Sequence, residues 1–318
     1  MKKVRAAVIG VGYLGKYHAE KYSAMEDVDL IGVVDIDRGL AQEVAARFNT
    51  LAFTDYRDLF GRVDAVSVVV PTEDHFPIAA DCLKQDLDVL IEKPMTATLA
   101  QADELIDIAK AKRRIMQIGH LERFNPAVIA LKDIVRRPMF IEAHRLSLFK
   151  DRSTDVSVVL DLMIHDIDII MNLVKSEIKS IHAAGAPVIC EHADIANVRL
   201  EFVSGCVANV TVSRISTKNQ RKIRLFQKDA YLSVDFAARD ITVIRRDESI
   251  ASDVIPGMDI RRLSFSDSDA LEDELASFIQ AVGTRRTPVV SGIAGRKALQ
   301  VALSITDQIN TAIKPYIE

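Results

Sequence analysis

Over the first 120 residues, short runs of apolar, often β-branched residues alternate with longer stretches whose apolar positions recur every three or four residues. A run such as Ala65-Val66-Ser67-Val68-Val69-Val70 is apolar at nearly every position. That suits a strand covered on both faces, and the longer spacing suits the helices that cover it. The pattern predicts strands at Val4–Ile9, Leu30–Val34, Leu51–Phe53, Ala65–Val70, Asp88–Ile91 and Arg114–Ile118, with helices over 13–24, 39–48, 75–85 and 99–112. Such alternation makes an α/β domain with a doubly wound parallel sheet.

After Gly119 the texture changes. Pro126 stands near the start of a helical stretch, and Pro138 introduces an extended run, Phe140–Leu148. Strand-like segments follow at Ile178–His182, Asn197–Phe202, Val207–Ser213, Ile223–Phe226, Leu232–Asp235 and Ile241–Arg245. No long helical pattern separates them, so their sheet is expected to be mostly antiparallel. Helices at Asp269–Val282 and roughly Ile293–Ile313 close the chain. Two domains are expected, 1–121 and 122–318, with the last helix packing back on the first; 318 residues suffice for two cores.

Composition narrows the class. With 49% hydrophobic and 27% charged residues the chain is globular rather than disordered. A net charge of -4, and basic residues scattered in pairs such as Arg136-Arg137 and Arg261-Arg262, argue against nucleic acid as a partner. Cys82, Cys190 and Cys206 show no CxxC spacing, which argues against a disulfide framework or structural zinc and for a reducing compartment. The apolar run Val4–Ile9 is too short for a secretory signal, and no run reaches the roughly 18 apolar residues of a membrane span. A cytoplasmic protein with no membrane partner is expected.

The candidate chemistry begins at Gly10-Val11-Gly12-Tyr13-Leu14-Gly15, which follows an apolar strand and opens a helix. Such glycines permit a tight turn, close approach of backbone to a pyrophosphate, and close helix-to-strand packing, at a helix N-terminus that favours anions. Asp35 ends the next strand 20 residues after Gly15, where a carboxylate accepts hydrogen bonds from ribose hydroxyls. Its charge favours NAD over NADP, a preference that nearby Arg38 tempers. Glu92-Lys93-Pro94 follows the fifth strand, at the edge where open parallel sheets bind ligands. Asp161, His165 and Asp168 stand at i, i+4 and i+7, one face of a helix, where a carboxylate can tune His165 as a general base. Taken alone, His165 reads more plainly as a buried histidine satisfied by Asp161 or Asp168.

These motifs, with Val70-Pro71-Thr72-Glu73-Asp74-His75, together resemble the Gfo/Idh/MocA oxidoreductases over most of the chain. The resemblance implies a Rossmann domain, then an α/β domain with a large open sheet that serves oligomer assembly as a homodimer or homotetramer. It also implies NAD(P)-dependent oxidation of a secondary alcohol of a sugar, sugar nucleotide or polyol. Lys93 corresponds to the catalytic lysine, and Asp161 and His165 to the substrate-binding and acid/base pair; which of Lys93 and His165 takes the proton stays open. Cofactor contacts are expected from Gly10, Gly12, Tyr13, Leu14, Gly15, Asp35, Thr72, His75 and Glu92. Thr72 stands where the family often has Asn, and Val156-Ser157-Val158-Val159-Leu160 stands where it often has a glycine pair.

The wording Gly119-His120-Leu121-Glu122-Arg123-Phe124-Asn125-Pro126 resembles the branch that oxidises UDP-N-acetylglucosamine at C3. Arg123 and Asn125 either bind the sugar or its phosphates, or Asn125 caps the helix at Pro126 while Arg123 braces the domain junction. A free polyol such as inositol is the alternative substrate, and a dinucleotide-binding regulator the alternative of a different class. His144, His182 and His192 lack ligand spacing, so no metal is expected.

Overall fold

The computed structural model describes residues 3–149, 156–246, 257–265 and 269–317. It begins with β1 (Val4–Ile9), α1 (Gly15–Ala24), β2 (Val28–Val34), α2 (Arg38–Arg47), β3 (Leu51–Phe53), β4 (Ala65–Val68), α3 (Thr72–Lys84), β5 (Asp88–Glu92), α4 (Leu99–Lys112) and β6 (Met116–Gly119). The six strands form a parallel sheet in the order β3-β2-β1-β4-β5-β6. Every residue of β4, β5 and β6 is buried, as a sheet covered on both faces demands. The order reverses between β1 and β4, and the crevice outside the carboxyl ends of the strands at such a point is where open α/β sheets take their ligands.

Next come α5 (Pro126–Ile134), β7 (Pro138–Leu146), α6 (Ile164–Val174), β8 (Ile178–Ala186), β9 (Ile195–Phe202), β10 (Val207–Ser213), β11 (Gln220–Gln227), β12 (Ala230–Asp235), β13 (Asp240–Arg246) and β14 (Met258–Ser264). Their strands make an eight-stranded sheet, β14-β13-β12-β11-β7-β10-β9-β8. Neighbours run antiparallel except β7 and β10, which are parallel because the chain returns to β10 only after α6, β8 and β9. Burial alternates along β7, β9 and β12, so one face is packed and the other is not.

α7 (Ala270–Thr284) and α8 (Gly292–Ile317) complete the chain. It divides into two compact units, Met1–Leu121 with Asp269–Leu299, and Glu122–Ser268 with Gln300–Glu318, so the dividing line falls within α8. Leu275, Phe278 and Ile279 of α7 join Ala6, Val8, Tyr22, Val33 and Leu90 in the core of the first unit. That burial explains why a helix distant in sequence belongs there. Among the described residues no helix is long and apolar enough to cross a membrane.

Candidate active site

In the first unit the turn from β1 to α1 is built around its glycines. Gly10 has φ +85°, and a Cβ there would lie 2.3 Å from the Val69 carbonyl oxygen. A Cβ on Gly15 would lie 1.8 Å from the Gly10 carbonyl oxygen, so both positions require glycine for the fold itself. Gly12 differs, because a Cβ there meets no atom within 4 Å. The turn needs no glycine at that point, and its bare backbone faces open space, as a site that receives a pyrophosphate must. No side chain caps the N-terminus of α1, and Tyr13 beside it is 67% exposed. Leu14 is the half-buried residue that precedes the helix.

Asp35 follows β2 and ties the turn to it. Its Oδ2 accepts the Val11 N–H at 2.9 Å and its Oδ1 accepts the Asp37 N–H at 3.0 Å. Asp37 in turn caps α2. Thr72 opens α3, whose N-terminus likewise has no side-chain cap. His75, one turn later, is 1% exposed, with its ring nitrogens 2.9 Å from the carbonyl oxygens of Pro94 and Val70. Burial pushes its pKa down against the two carbonyl acceptors, which favour the charged ring. His75 thus joins the loop after β4 to the loop that carries Lys93.

Glu92 ends β5 and is buried; its Oε2 accepts the Lys93 N–H at 3.2 Å. Lys93 is half-buried and precedes Pro94 through a cis peptide bond. The first unit therefore gathers the glycine turn, Asp35, Thr72 and Lys93 at the carboxyl ends of β1, β2, β4 and β5.

In the second unit Asp161 lies on a π turn, Val159–Met163, closed by the Ile164 N–H on the Val159 carbonyl. His165 is the second residue of α6, and both it and Asp161 are half-buried. Asp168, one turn after His165 on the same helix, is buried and held by Arg123 through Nε and, at 2.8 Å, through Nη2. Asp166 is gripped by Arg145, Nε to Oδ2 at 2.8 Å and Nη2 to Oδ1 at 3.0 Å, while Arg145 Nη1 donates to Glu122 Oε1 at 2.8 Å. Burial opposes the charge on Glu122, but the Arg145 guanidinium outweighs it and holds the carboxyl below its ordinary value.

Arg123 and Asn125 are 7% and 8% exposed. Asn125 Oδ1 accepts the Ala127 N–H at 3.0 Å as the cap of α5, and its Nδ2 donates to the Phe236 carbonyl at 3.4 Å. The segment entering the π turn is anchored by Arg214, whose Nη2 donates to the Val156 carbonyl at 2.6 Å, and by the Val158 N–H on the Ala193 carbonyl. The adjacent Asp194 is fully buried. Its Oδ2 accepts the N–H groups of Val188, Ile189 and Cys190, and these amides overcome burial to bring its carboxyl down to about 2.

Arg145, Asp166 and Asp194 escaped the sequence reading. For Arg145 a signal existed: it shares strand parity with the inward-facing Ile141 and Ala143, so it had to be buried and had to have a carboxylate partner.

Residues 4–120 match the family model described as an oxidoreductase family with an NAD-binding Rossmann fold, and residues 135–233 match the GFO/IDH/MocA C-terminal domain. The chain is 36% identical to UDP-N-acetylglucosamine 3-dehydrogenase of Acidithiobacillus ferrooxidans, covering 100% of both chains. It is 27% identical to myo-inositol 2-dehydrogenase of Thermotoga maritima, covering 93% of each. A solved structure of the Acidithiobacillus ferrooxidans enzyme superposes with a TM-score of 0.91 at 35% identity, covering 98% of this chain and 99% of that one. Levoglucosan dehydrogenase in complex with NADH shares the fold, with a TM-score of 0.87 at 18% identity over 98% of each chain.

Proposed function

The chain belongs to the Gfo/Idh/MocA oxidoreductase family, and from that premise we propose that it oxidises the 3-hydroxyl of UDP-N-acetylglucosamine, or of a related UDP-amino sugar, to the ketone. The observation that carries the substrate is the end-to-end similarity at 36% identity, against 27% and 26% for two inositol dehydrogenases.

NAD fits the first unit: the open backbone at Gly12, the uncapped start of α1 and the Asp35 carboxylate are what its pyrophosphate and adenosine ribose require. When bound, it supplies the acceptor for the hydride that leaves the oxidised carbon. The fixed charge of Asp35 disfavours a 2′-phosphate, which makes NAD the preferred form, with Arg38 tempering the choice. His165 takes the proton of the reacting hydroxyl, Lys93 donates a hydrogen bond to the same oxygen and offsets its developing charge, and Asp161 binds the substrate beside His165. The proton roles of Lys93 and His165 are interchangeable in this scheme. Arg123 and Asn125 act indirectly, by holding α6 and α5.

The unpaired Cys82, Cys190 and Cys206 accord with a reducing compartment, so the reaction is assigned to the cytoplasm. A homodimer or homotetramer assembled through the uncovered face of the eight-stranded sheet is the working form.

Following NADH formation with UDP-amino sugars, free sugars and inositols, with a ketone trap to draw the reaction forward, tests the assignment. Turnover confined to the UDP-amino sugars is expected. Turnover confined to an inositol would overturn the substrate, and NAD binding with no turnover would point to a regulator. Either K93M or H165A lowers kcat by at least about a hundredfold while NAD binding stays near wild type.

A further inference from the structure

The first unit buries polar side chains that the proposed chemistry does not use. His18 on α1, Glu274 on α7 and Gln117 on β6 are fully buried. Tyr22, one turn after His18, is buried too, and its hydroxyl lies 2.8 Å from Ser67 Oγ. Fully buried histidine and glutamate are uncommon without a partner, because desolvating their charged forms is costly.

Glu92 acts on two of them, His18 and Glu274. Its register partner on β6 is Gly119, where a Cβ would lie 2.9 Å from the carboxylate, so the bare backbone there makes the room that Glu92 occupies. The two carboxylate oxygens have different partners. Oε1 lies 3.3 Å from His18 Nε2, and Oε2 accepts the backbone N–H of Lys93 at 3.2 Å. One carboxylate therefore bridges an imidazole on α1 and the backbone of the proposed catalytic lysine.

The charged and titratable groups that act on Glu92 are His18 from α1, Lys93 beside it, Glu274 from α7 and His75 from α3. Burial disfavours the charge of Glu92, but His18 and the Lys93 ammonium together outweigh it and hold the carboxyl below its ordinary value. For Glu274, burial reinforced by the charge on Glu92 pushes the carboxyl well above the ordinary range. The member of this pair whose charge is favoured is thus the one that touches Lys93.

We infer that His18 is a positioning residue for Lys93: it keeps the Glu92 carboxylate in place and ionised, and Glu92 fixes the Lys93 backbone and sets the charge beside its ammonium. The inference rests on Lys93 being the catalytic cation. Removing His18 leaves a buried carboxylate short of a partner, so Glu92 takes up a proton and the negative charge beside Lys93 is lost.

The test reads Lys93 directly. The full chain without cofactor is treated with an amine-directed acylating reagent over a pH series, and modification of Lys93 is followed by peptide mass spectrometry in wild type, H18F, H18Q and E92Q. A nearby negative charge stabilises an ammonium, so E92Q and H18F are expected to make Lys93 acylate faster than in wild type at a given pH, by about threefold or more. H18Q, whose amide N–H can still donate to Glu92, reverses part of that gain. In turnover, the pH profile of kcat in H18F moves to lower pH, while its KM for NAD stays within about twofold of wild type.

A reactivity curve in H18F and E92Q that coincides with wild type, with thermal stability alone reduced, would overturn the proposal. If H18F does not fold, H18Q and the isosteric E92Q decide the matter. Wild-type turnover in K93M would remove the catalytic reading of Lys93, and the labelling shift would then still report whether His18 and Glu92 control that amine.

Discussion

Gly12 and Gly15 belong to one turn, yet substitution should separate their roles. A Cβ at Gly15 would fall 1.8 Å from a backbone oxygen, a contact that no rotamer relieves, so G15A must open the turn. A stability loss of at least about 2 kcal/mol in chemical denaturation is expected. At Gly12 a side chain enters open space, so G12V should stay within about 0.5 kcal/mol of wild-type stability yet weaken NAD binding by about tenfold or more, read by fluorescence titration. Unchanged NAD affinity in G12V would mean that the pyrophosphate approaches elsewhere. This turn was legible in sequence because backbone sterics admit one residue type at Gly10 and Gly15. The bonds of Asp35 to the Val11 and Asp37 amides were not, because spacing places a carboxylate at a strand end without saying which donors it meets.

At the scale of elements, most strands and helices emerged near their expected bounds because burial imposes period two or 3.6 on the chain; the edge strand β14, exposed over most of its length, was not foreseen. The π turn did not emerge, since one residue added to a helical turn leaves the apolar pattern almost unchanged. Periodicity also places Asp168 on one helix face with His165 without showing that Arg123 holds it. What holds α6 in place is likewise invisible to periodicity: Arg145 is buried and its charge is met by Asp166 and Glu122. Deleting one member of such a pair leaves the other charge stranded, so D166N should cost about 3–5 kcal/mol of stability in denaturant titration, far more than a surface ion pair. A loss under 1 kcal/mol would show that Glu122 alone suffices for Arg145.

Glu274 on α7 gives a stability effect of opposite pH sense to that of a salt-bridged acid. In the unfolded chain its carboxyl releases a proton near the ordinary value of 4.5, whereas in the folded chain burial keeps the proton on to a higher pH. Between those two values folding takes up a proton, so stability contributed by this residue falls as pH rises. E274Q mimics the protonated form and has nothing to titrate. Thermal melts over a pH series should therefore show the variant gaining on wild type from about pH 5 upward until the folded-state value is passed. Parallel curves for the two proteins would place the proton elsewhere.

For the molecule as a whole, the uncovered face of the large sheet is the surface through which the proposed assembly would form. Phe140, Phe226, Tyr231, Ile244 and Ile260 are successive register partners on β7, β11, β12, β13 and β14, so an apolar row crosses five strands on the face opposite the packed one. Phe140, Phe226 and Tyr231 are also in ring contact. Lengthening the sheet by pairing along β14 is disfavoured, because that edge strand carries exposed Arg261 and Arg262. Face-to-face pairing meets no such obstacle, and a stable interface needs about 800 Å² from each partner, which an eight-stranded face can supply. Light scattering on the wild-type chain should then report a dimer or tetramer at micromolar concentration, and F226E with I244E, which places like charges on facing copies, should yield monomers. Circular dichroism should show the sheet intact, since Leu225, Leu232 and Val243 on the packed face are untouched. A monomeric wild type, or an oligomer indifferent to the two charges, would remove this face from the assembly.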